Sequence, residues 1–413
     1  MFAVGLAVVI AMLAGAAVME GSAPALTLLG VAAGIPVFLL AAPDRLVALT
    51  LAVAALSVPE AWPTLASPGG VDISLGDALA VLAATTALLR RKAPLSHRLV
   101  VAVVLFLVAG VVNSDWDGAL AFLRMAGPLA FGVVLGLFAR PGLDLWRDVR
   151  WLCVLLIATA PLISDPAARW AGFPGGPNEV GLVAAVLTVL GAAERRRPVK
   201  LVLVAVGLAG LAGSKGIVST IAMIAGLAML GRLSPAGWMA RTRMSRVHPL
   251  LLVVSALVAV AVIPVVRPDL PVTLSVHAAQ AGVFGSVVDQ GDPLFGAGWA
   301  NVDPAAFAGT PLRELHNVYL DVAAYLGLLG LVLLGLILLP VVRRADPLTR
   351  AVLCTVVVWF NTTGAFPGPG WGMLGLVLAA TIAHERAADP AVRGVRAPAP
   401  AVAAGDQRLS GIR

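Results

Sequence analysis

The chain has 413 residues and a formal charge of +7; 60% of residues are hydrophobic and 12% are charged, against about 25% charged in an ordinary soluble domain. With a mean hydropathy of +0.96, this composition excludes a soluble globular protein. Apolar runs recur from end to end, which excludes a singly anchored one.

Only helices or closed barrels satisfy the backbone in lipid, and continuous apolar runs favour helices. In chain order the runs give about fourteen spans, an all-α polytopic membrane protein of about 12–14 transmembrane helices. They fall at 2–19, 23–42, 46–59, 75–89, 99–113, 119–138, 151–163, 179–193, 201–213, 217–231, 250–266, 318–340, 351–366 and 370–384. The first run has no basic residue ahead of it and is expected to be a retained helix rather than a cleaved signal.

Alternate connections carry Arg45, Arg90 to Arg98, Arg140 to Arg150, Arg195 to Lys200, Arg232 to Arg246 and Arg343 to Arg350; the tail from Arg386 is basic too. The positive-inside rule places these connections and both termini in the cytoplasm. Of the 29 Lys and Arg residues, only Arg124, Arg169, Lys215, Arg267 and Arg313 fall elsewhere. The high pI therefore reports topology, with no case for nucleic-acid binding. An acidic outer face with isolated cations focuses a polyanion onto one spot.

Arg124 lies inside the sixth span, and intramembrane charges usually face a polar interior; the alternative is pairing with Asp115 or Asp117. Arg169 follows the seventh span. Asn178 and Glu179 open the eighth, Asn178 as an expected cap and Glu179 as a complement to the helix dipole. Lys215 sits in the turn Gly213–Gly216 between the ninth and tenth spans. Cys153 and Cys354 fall in apolar spans and read as packing. No metal-ligand spacing, P-loop or dinucleotide fingerprint occurs, and no clear repeat.

The long external connection 267–317 begins at Arg267. Residues Thr273 to Asp289 read as an amphipathic helix, with Val276, Ala279, Val283 and Val287 on one face and His277 at its edge. Such a helix suits the outer membrane interface. A Pro/Gly turn follows, Asp292 to Trp299. Arg313, Glu314, His316 and Asn317 then precede the apolar twelfth span, where Asp321 also suits a helix start. Residues 385–413, rich in Ala, Pro and Arg, are expected to be a disordered cytoplasmic tail, leaving 1–384 as the membrane domain.

Three stretches carry a family resemblance. Asp292-Pro-Leu-Phe-Gly-Ala-Gly, then His316-Asn-Val-Tyr-Leu running into Leu326-Gly-Leu-Leu-Gly-Leu331, resembles the PLxGxG, HNxYL, GLLGL pattern of the O-antigen ligase and polysaccharide polymerase superfamily. Gly175-Gly-Pro-Asn178 is similar to the family's Pro-Asn entry into a helix, and Gly213-Ser-Lys-Gly216 to its Ser-Arg-Gly turn. Lys215 stands where the family usually has Arg, which keeps the charge but loses the bidentate fork. His277 lies near where another Arg is expected, and His is cationic only below about its ordinary pKa of ~6.5.

The resemblance implies a membrane glycosyltransferase of GT-C type in the bacterial cytoplasmic membrane. Such an enzyme transfers a glycan from a polyprenyl-pyrophosphate donor to an acceptor hydroxyl, by polymerisation or ligation, with no metal or other cofactor. His316 is then the catalytic base, since a His near neutral pKa suits proton abstraction. Lys215, Arg313, Arg124, Arg267, Arg169 and His277 would bind the departing pyrophosphate, whose growing charge preplaced cations stabilise. Its partners are the lipid-linked donor, a glycan or lipid-glycan acceptor, membrane lipid and envelope polysaccharide assembly proteins. The alternative class is a non-catalytic lipid-linked glycan transporter or flippase, or a structural component of an export complex. A transporter would spread charge through many spans, and here the middles of nearly all spans are uncharged.

Overall fold

The computed structural model describes residues 42–58, 62–66, 73–91, 97–139, 145–164, 169–233, 288–289, 291–299, 317–361 and 369–388. Among them are eleven helices: α1 (Asp44–Leu56), α2 (Leu75–Leu89), α3 (Arg98–Val112), α4 (Trp116–Phe138), α5 (Leu145–Ile163), α6 (Pro177–Ala193), α7 (Arg197–Ser214), α8 (Ile217–Leu233), α9 (Val318–Arg344), α10 (Pro347–Phe360) and α11 (Pro369–Ala388). Each coincides with an apolar run expected from the sequence. The runs at 2–19, 23–42 and 250–266, all but the end of the amphipathic helix, Arg267, His277, Arg313, His316 and the tail beyond 388 lie outside the described residues.

Three of these helices hold segments long and apolar enough to cross a membrane, Gly118–Phe138, Arg197–Ser214 and Val318–Arg344, and five shorter ones are also apolar. The protein is thus mostly helical, with the helices of an all-α membrane protein. One departure from the helical reading is a short antiparallel pair between α1 and α2, β1 (Thr64–Ala66) with β2 (Ile73–Ser74). Strands this short are invisible to period-2 patterning.

Local chemistry sets the helix starts. Ser74 and Asp77 form a reciprocal capping box at α2. Asp115 Oδ1 accepts from the Gly118 N–H at α4, 2.7 Å away. Asp346 Oδ1 accepts from Leu348 and Thr349 at α10, with Pro347 at the first helical position. Asp115 is therefore used as a cap.

Two helices are buried on all sides: α6 from Val180 to Gly191 and α11 from Pro369 to Ala383. A helix apolar all round belongs in the interior. Around α11 pack α4, α1, α10 and α9; around α6 pack α7, α8, α5 and α10. Gly132 of α4 lies so close to the Gly375 backbone of α11 that a Cβ would collide with it. Small residues bring membrane helices together in this way, because lipid supplies no hydrophobic drive between them.

The twelfth expected span, read from sequence as one continuous helix, is broken. Gly327 has φ 61° and ψ −158°, a conformation that is essentially open to glycine alone. The break opens the bonds that the Leu328 and Leu329 N–H groups would make to the Ala324 and Tyr325 carbonyls in an unbroken helix. The turn at 293–298 takes all four groups. Ala297 N–H donates to Ala324 O (2.9 Å) and Gly298 N–H to Tyr325 O (3.0 Å); Leu328 N–H donates to Pro293 O (3.1 Å) and Leu329 N–H to Leu294 O (3.0 Å). A Cβ on Gly296 would sit 2.5 Å from Tyr325 O and 2.6 Å from Gly327 N. Asn113 Nδ2 donates to Phe295 O and Tyr325 O, and Trp299 N–H donates to Ser114 Oγ at 2.8 Å. The Trp299 ring lies 4.7 Å from that of Tyr325 and 5.5 Å from that of Phe122.

Helix ends that the sequence assigns to the basic side meet only one another. Glu385 of α11 accepts from His97 Nε2 (3.1 Å) and Arg98 (2.7 Å), ahead of and within α3, with Arg344 of α9 at 3.7 Å. Arg150 of α5 pairs with Glu194 after α6, and Arg45 of α1 with Asp148 of α5 at 3.2 Å. Arg386 donates to Ala139 O, closing the end of α4 at 2.6 Å. The Asn113, Ser114 and Trp299 contacts belong to the opposite end.

Candidate functional site

The site lies at that opposite end, where the α5–α6 connection, the first turns of α6 and α8, and the last turns of α7 and α10 come together. Residues 169–176 fold back through a turn in which Gly172 and Gly175 pair, with φ of 123° and 109°. Phe173 O accepts from Val58 N–H at 3.0 Å and its ring packs on Trp62 at 5.6 Å, fixing the turn to the end of α1.

Arg169 is held at two points. Its Nε donates to Ser214 O at 2.6 Å and its Nη2 to Asn178 Oδ1 at 3.1 Å. Beside it, Trp170 N–H donates to Gly213 O at 3.0 Å, and the indole occupies the space a Cβ on Gly213 would need. Arg169 is thereby carried to the turn that holds Lys215. Its guanidinium charge also acts on Glu179, so Arg169 links the α7 turn, Asn178 and the acid of α6.

Lys215 ends α7 in the left-handed conformation, φ 51° and ψ 32°, and is exposed. Ser214 and Gly216 flank it, with Gly216 N–H directed at Ser214 Oγ (3.3 Å). Directly after this turn α8 begins. A Cβ on Gly181 of α6 would be 2.5 Å from Ser219 Oγ of α8, so the first turns of the two helices touch. Two helix N-termini, each with partial positive charge, thus converge with two cationic side chains, and the Glu179 carboxylate accepts from the Gly176 and Glu179 N–H groups at the start of α6. Glu179 is the acid of this corner, interacting with the Arg169 charge.

Asn178 is the hub. It was expected to cap α6, but the cap position is Gly176, with no side-chain cap bond, and Pro177 opens the helix. Inside the first turn, the Asn178 side chain is turned to Arg169, and the Asn178 backbone carbonyl accepts from Ser219 Oγ (3.4 Å) and Trp359 Nε1 (3.2 Å). Trp359 is the penultimate residue of α10. There Asn361 O accepts from Asn317 Nδ2 at 3.0 Å. Asn317 Oδ1 also caps α9, accepting from Tyr319 and Leu320, and Tyr319 OH donates to Val357 O at 3.1 Å. His316 itself is outside the described residues, but the residue after it is tied to α10 and so to Asn178.

Of the expected anion-binding residues, Lys215 and Arg169 are brought together. Arg124 is half-buried in α4, which packs chiefly on α11, α1, α3 and α2, away from the Lys215 turn. Arg313, Arg267 and His277 are outside the described residues. Trp170, Ser214 and Trp359 position the site and were not singled out from sequence. Their contributions are backbone carbonyls, an indole N–H and ring packing, which carry no sequence signature. No protein-family model matches this chain, and no curated protein matches it.

Proposed function

We propose that this chain is a GT-C-like glycosyltransferase of the bacterial cytoplasmic membrane, with both termini cytoplasmic. It would transfer a glycan from a polyprenyl-pyrophosphate donor to an acceptor hydroxyl at the outer face, as resemblance to the O-antigen ligase and polysaccharide polymerase superfamily implies. One observation supports this reading above the others. The three stretches of the resemblance, far apart in sequence, are joined at one end of the bundle through Asn178: to Lys215 by way of Arg169 and Ser214, and to Asn317 by way of α10.

In this reading the pyrophosphate rests against Lys215 beside the Arg169 charge, with Arg313, Arg267 and His277 as further candidates. His316 takes the proton of the acceptor hydroxyl. The acceptor oxygen forms its bond to the anomeric carbon as the bond from that carbon to the pyrophosphate oxygen breaks. The leaving electron pair stays on the lipid pyrophosphate, where cations lower the cost of the growing charge. Such stabilisation is stronger where water is excluded. Polymerisation and ligation share these steps and differ in the acceptor.

The test is transfer by purified protein in proteoliposomes supplied with a polyprenyl-pyrophosphate-linked glycan. His316→Ala is expected to reduce turnover by about 10²–10⁴, the usual contribution of a general base, with unchanged insertion and thermal stability. If His316 only contacts phosphate, His316→Arg retains activity. Wild-type turnover by a folded His316→Ala protein would remove the catalytic role.

A further inference from the structure

A second charged feature lies at the basic end, remote from Lys215, and it is independent of the transferase reading. The connection between α6 and α7 presents three consecutive exposed arginines, Arg195, Arg196 and Arg197. None of their guanidinium groups has an acidic partner among the described residues. The nearby acid, Glu194, is already committed. Its carboxylate accepts from Arg150, from the Arg195 N–H at 2.8 Å and from the Arg196 N–H at 3.0 Å. Glu194 thus shapes the arginine turn and neutralises Arg150.

Beneath this turn lie two apolar stripes. On α7, Arg197 heads a single face that continues through Leu201, Ala205, Leu208 and Ala212, all exposed, at the spacing that places residues above one another on a helix. On the neighbouring α5, Trp151, Leu155, Ala158 and Leu162 form the matching exposed face. Trp151 is 46% exposed and Leu201 69%. The two helices pack together, and Glu194 ties their basic ends, holding Arg150 of α5 to the arginine turn that opens α7. Arg150 holds the Trp151 ring with its guanidinium carbon 5.7 Å from the ring centroid. Indole rings at the ends of spans sit at headgroup level, and basic pockets between membrane helices hold anionic headgroups.

We propose that the α5–α7 seam at the basic end binds an anionic phospholipid. Arg195, Arg196 and Arg197 hold its phosphate, Trp151 lies at the glycerol level, and its acyl chains run along Leu155 and Leu201. Among the described residues, three arginines in a row without an acidic partner occur only here. Elsewhere at the same end Arg45, Arg98 and Arg344 are engaged with Asp148 or Glu385.

The experiment is native mass spectrometry of the full-length protein, released from detergent containing phosphatidylglycerol and phosphatidylcholine of matched chains. Wild type is expected to retain phosphatidylglycerol at least fivefold over phosphatidylcholine. Arg195→Gln with Arg197→Gln should lower that retention at least fivefold. Arg91→Gln with Arg343→Gln, which removes the same charge from the same end, should leave it within twofold. Trp151→Ala should lower retention with no change of charge. It also serves, with single Arg197→Gln, if the double variant does not fold. Equal loss in the two double variants would mean a diffuse surface potential and overturn the site. So would wild-type retention that does not distinguish the two lipids.

Discussion

Lys215 is the only non-glycine residue with positive φ among the described residues. For an L-residue this conformation costs about 1–2 kcal/mol, and helices ending this way usually place Gly or Asn there. In the proposed reading, this strain would be held at the donor site. Lys215→Asn is therefore expected to keep or raise thermal stability, by up to about 1 kcal/mol, while reducing glycan transfer at least tenfold. Lys215→Arg should keep transfer. Thermal unfolding and transfer measured on the same preparations check this, and wild-type transfer by Lys215→Asn would remove Lys215 from the donor site. The sequence made Arg169 and Lys215 visible as isolated cations outside the basic loops. It did not reveal that Arg169 reaches a backbone carbonyl 45 residues away, because any residue supplies a carbonyl. Asn178 does not cap α6 for a related reason: Pro177 starts the helix two residues earlier than a capping Asn requires.

At the scale of elements, α9 joins legible and illegible features. Its apolar run and the Pro/Gly turn before it were evident in sequence. The break at Gly327 was not, since glycine also occurs in straight membrane helices. What identifies this glycine is the backbone of Leu294 and Gly296 lying 2.5–2.6 Å from where its Cβ would be. Gly327→Ala is expected to destabilise the protein by about 3 kcal/mol or more, combining positive-φ strain with loss of the paired backbone groups. The adjacent Gly330→Ala, whose Cβ would meet only side chains, should cost less. Thermal unfolding in detergent compares the two, and equal costs would show that the interlock contributes little. The α6–α7 connection gives a prediction in pH. The Arg196 N–H first, then the Arg150 guanidinium, hold the Glu194 carboxyl below the usual carboxylate range. A lowered folded-state pKa contributes stability that is present above the ordinary value of about 4.5 and lost as pH falls through the lowered one. Unfolding temperature should therefore fall on acidification through this window, and Glu194→Gln should flatten the fall. An unchanged profile in the variant would assign the acid sensitivity to other carboxylates.

For the whole molecule, hydropathy located each of the eleven described helices, with ends off by up to about six residues as at the start of α5, because lipid imposes backbone satisfaction within each segment. Which helices become central was less legible. The burial of α6 and α11 depends on glycine contacts such as Gly132 with Gly375, and these are specified pairwise. Charge asymmetry predicted how the ends sort, and ion pairs such as Glu385 with Arg98 and Arg150 with Glu194 join only ends from the basic side. Reporter fusions after Arg91, Arg196 and Arg344 are accordingly expected to read cytoplasmic, and a fusion near Gly291 external. A cytoplasmic signal at Gly291 would put His316 on the wrong face for an outer-leaflet donor.

Trp299 is fastened to Ser114, and Asn317 to Asn361, so the stretch 300–316 between them begins and ends at points fixed by the bundle. Closure entropy grows only slowly with length, by about 0.6 kcal/mol per doubling. Changing the length of the connection between these two points is therefore expected to cost the fold little. The bundle acts as a frame with two fixed posts, and the helices that carry the posts keep their places whatever sequence is strung between them.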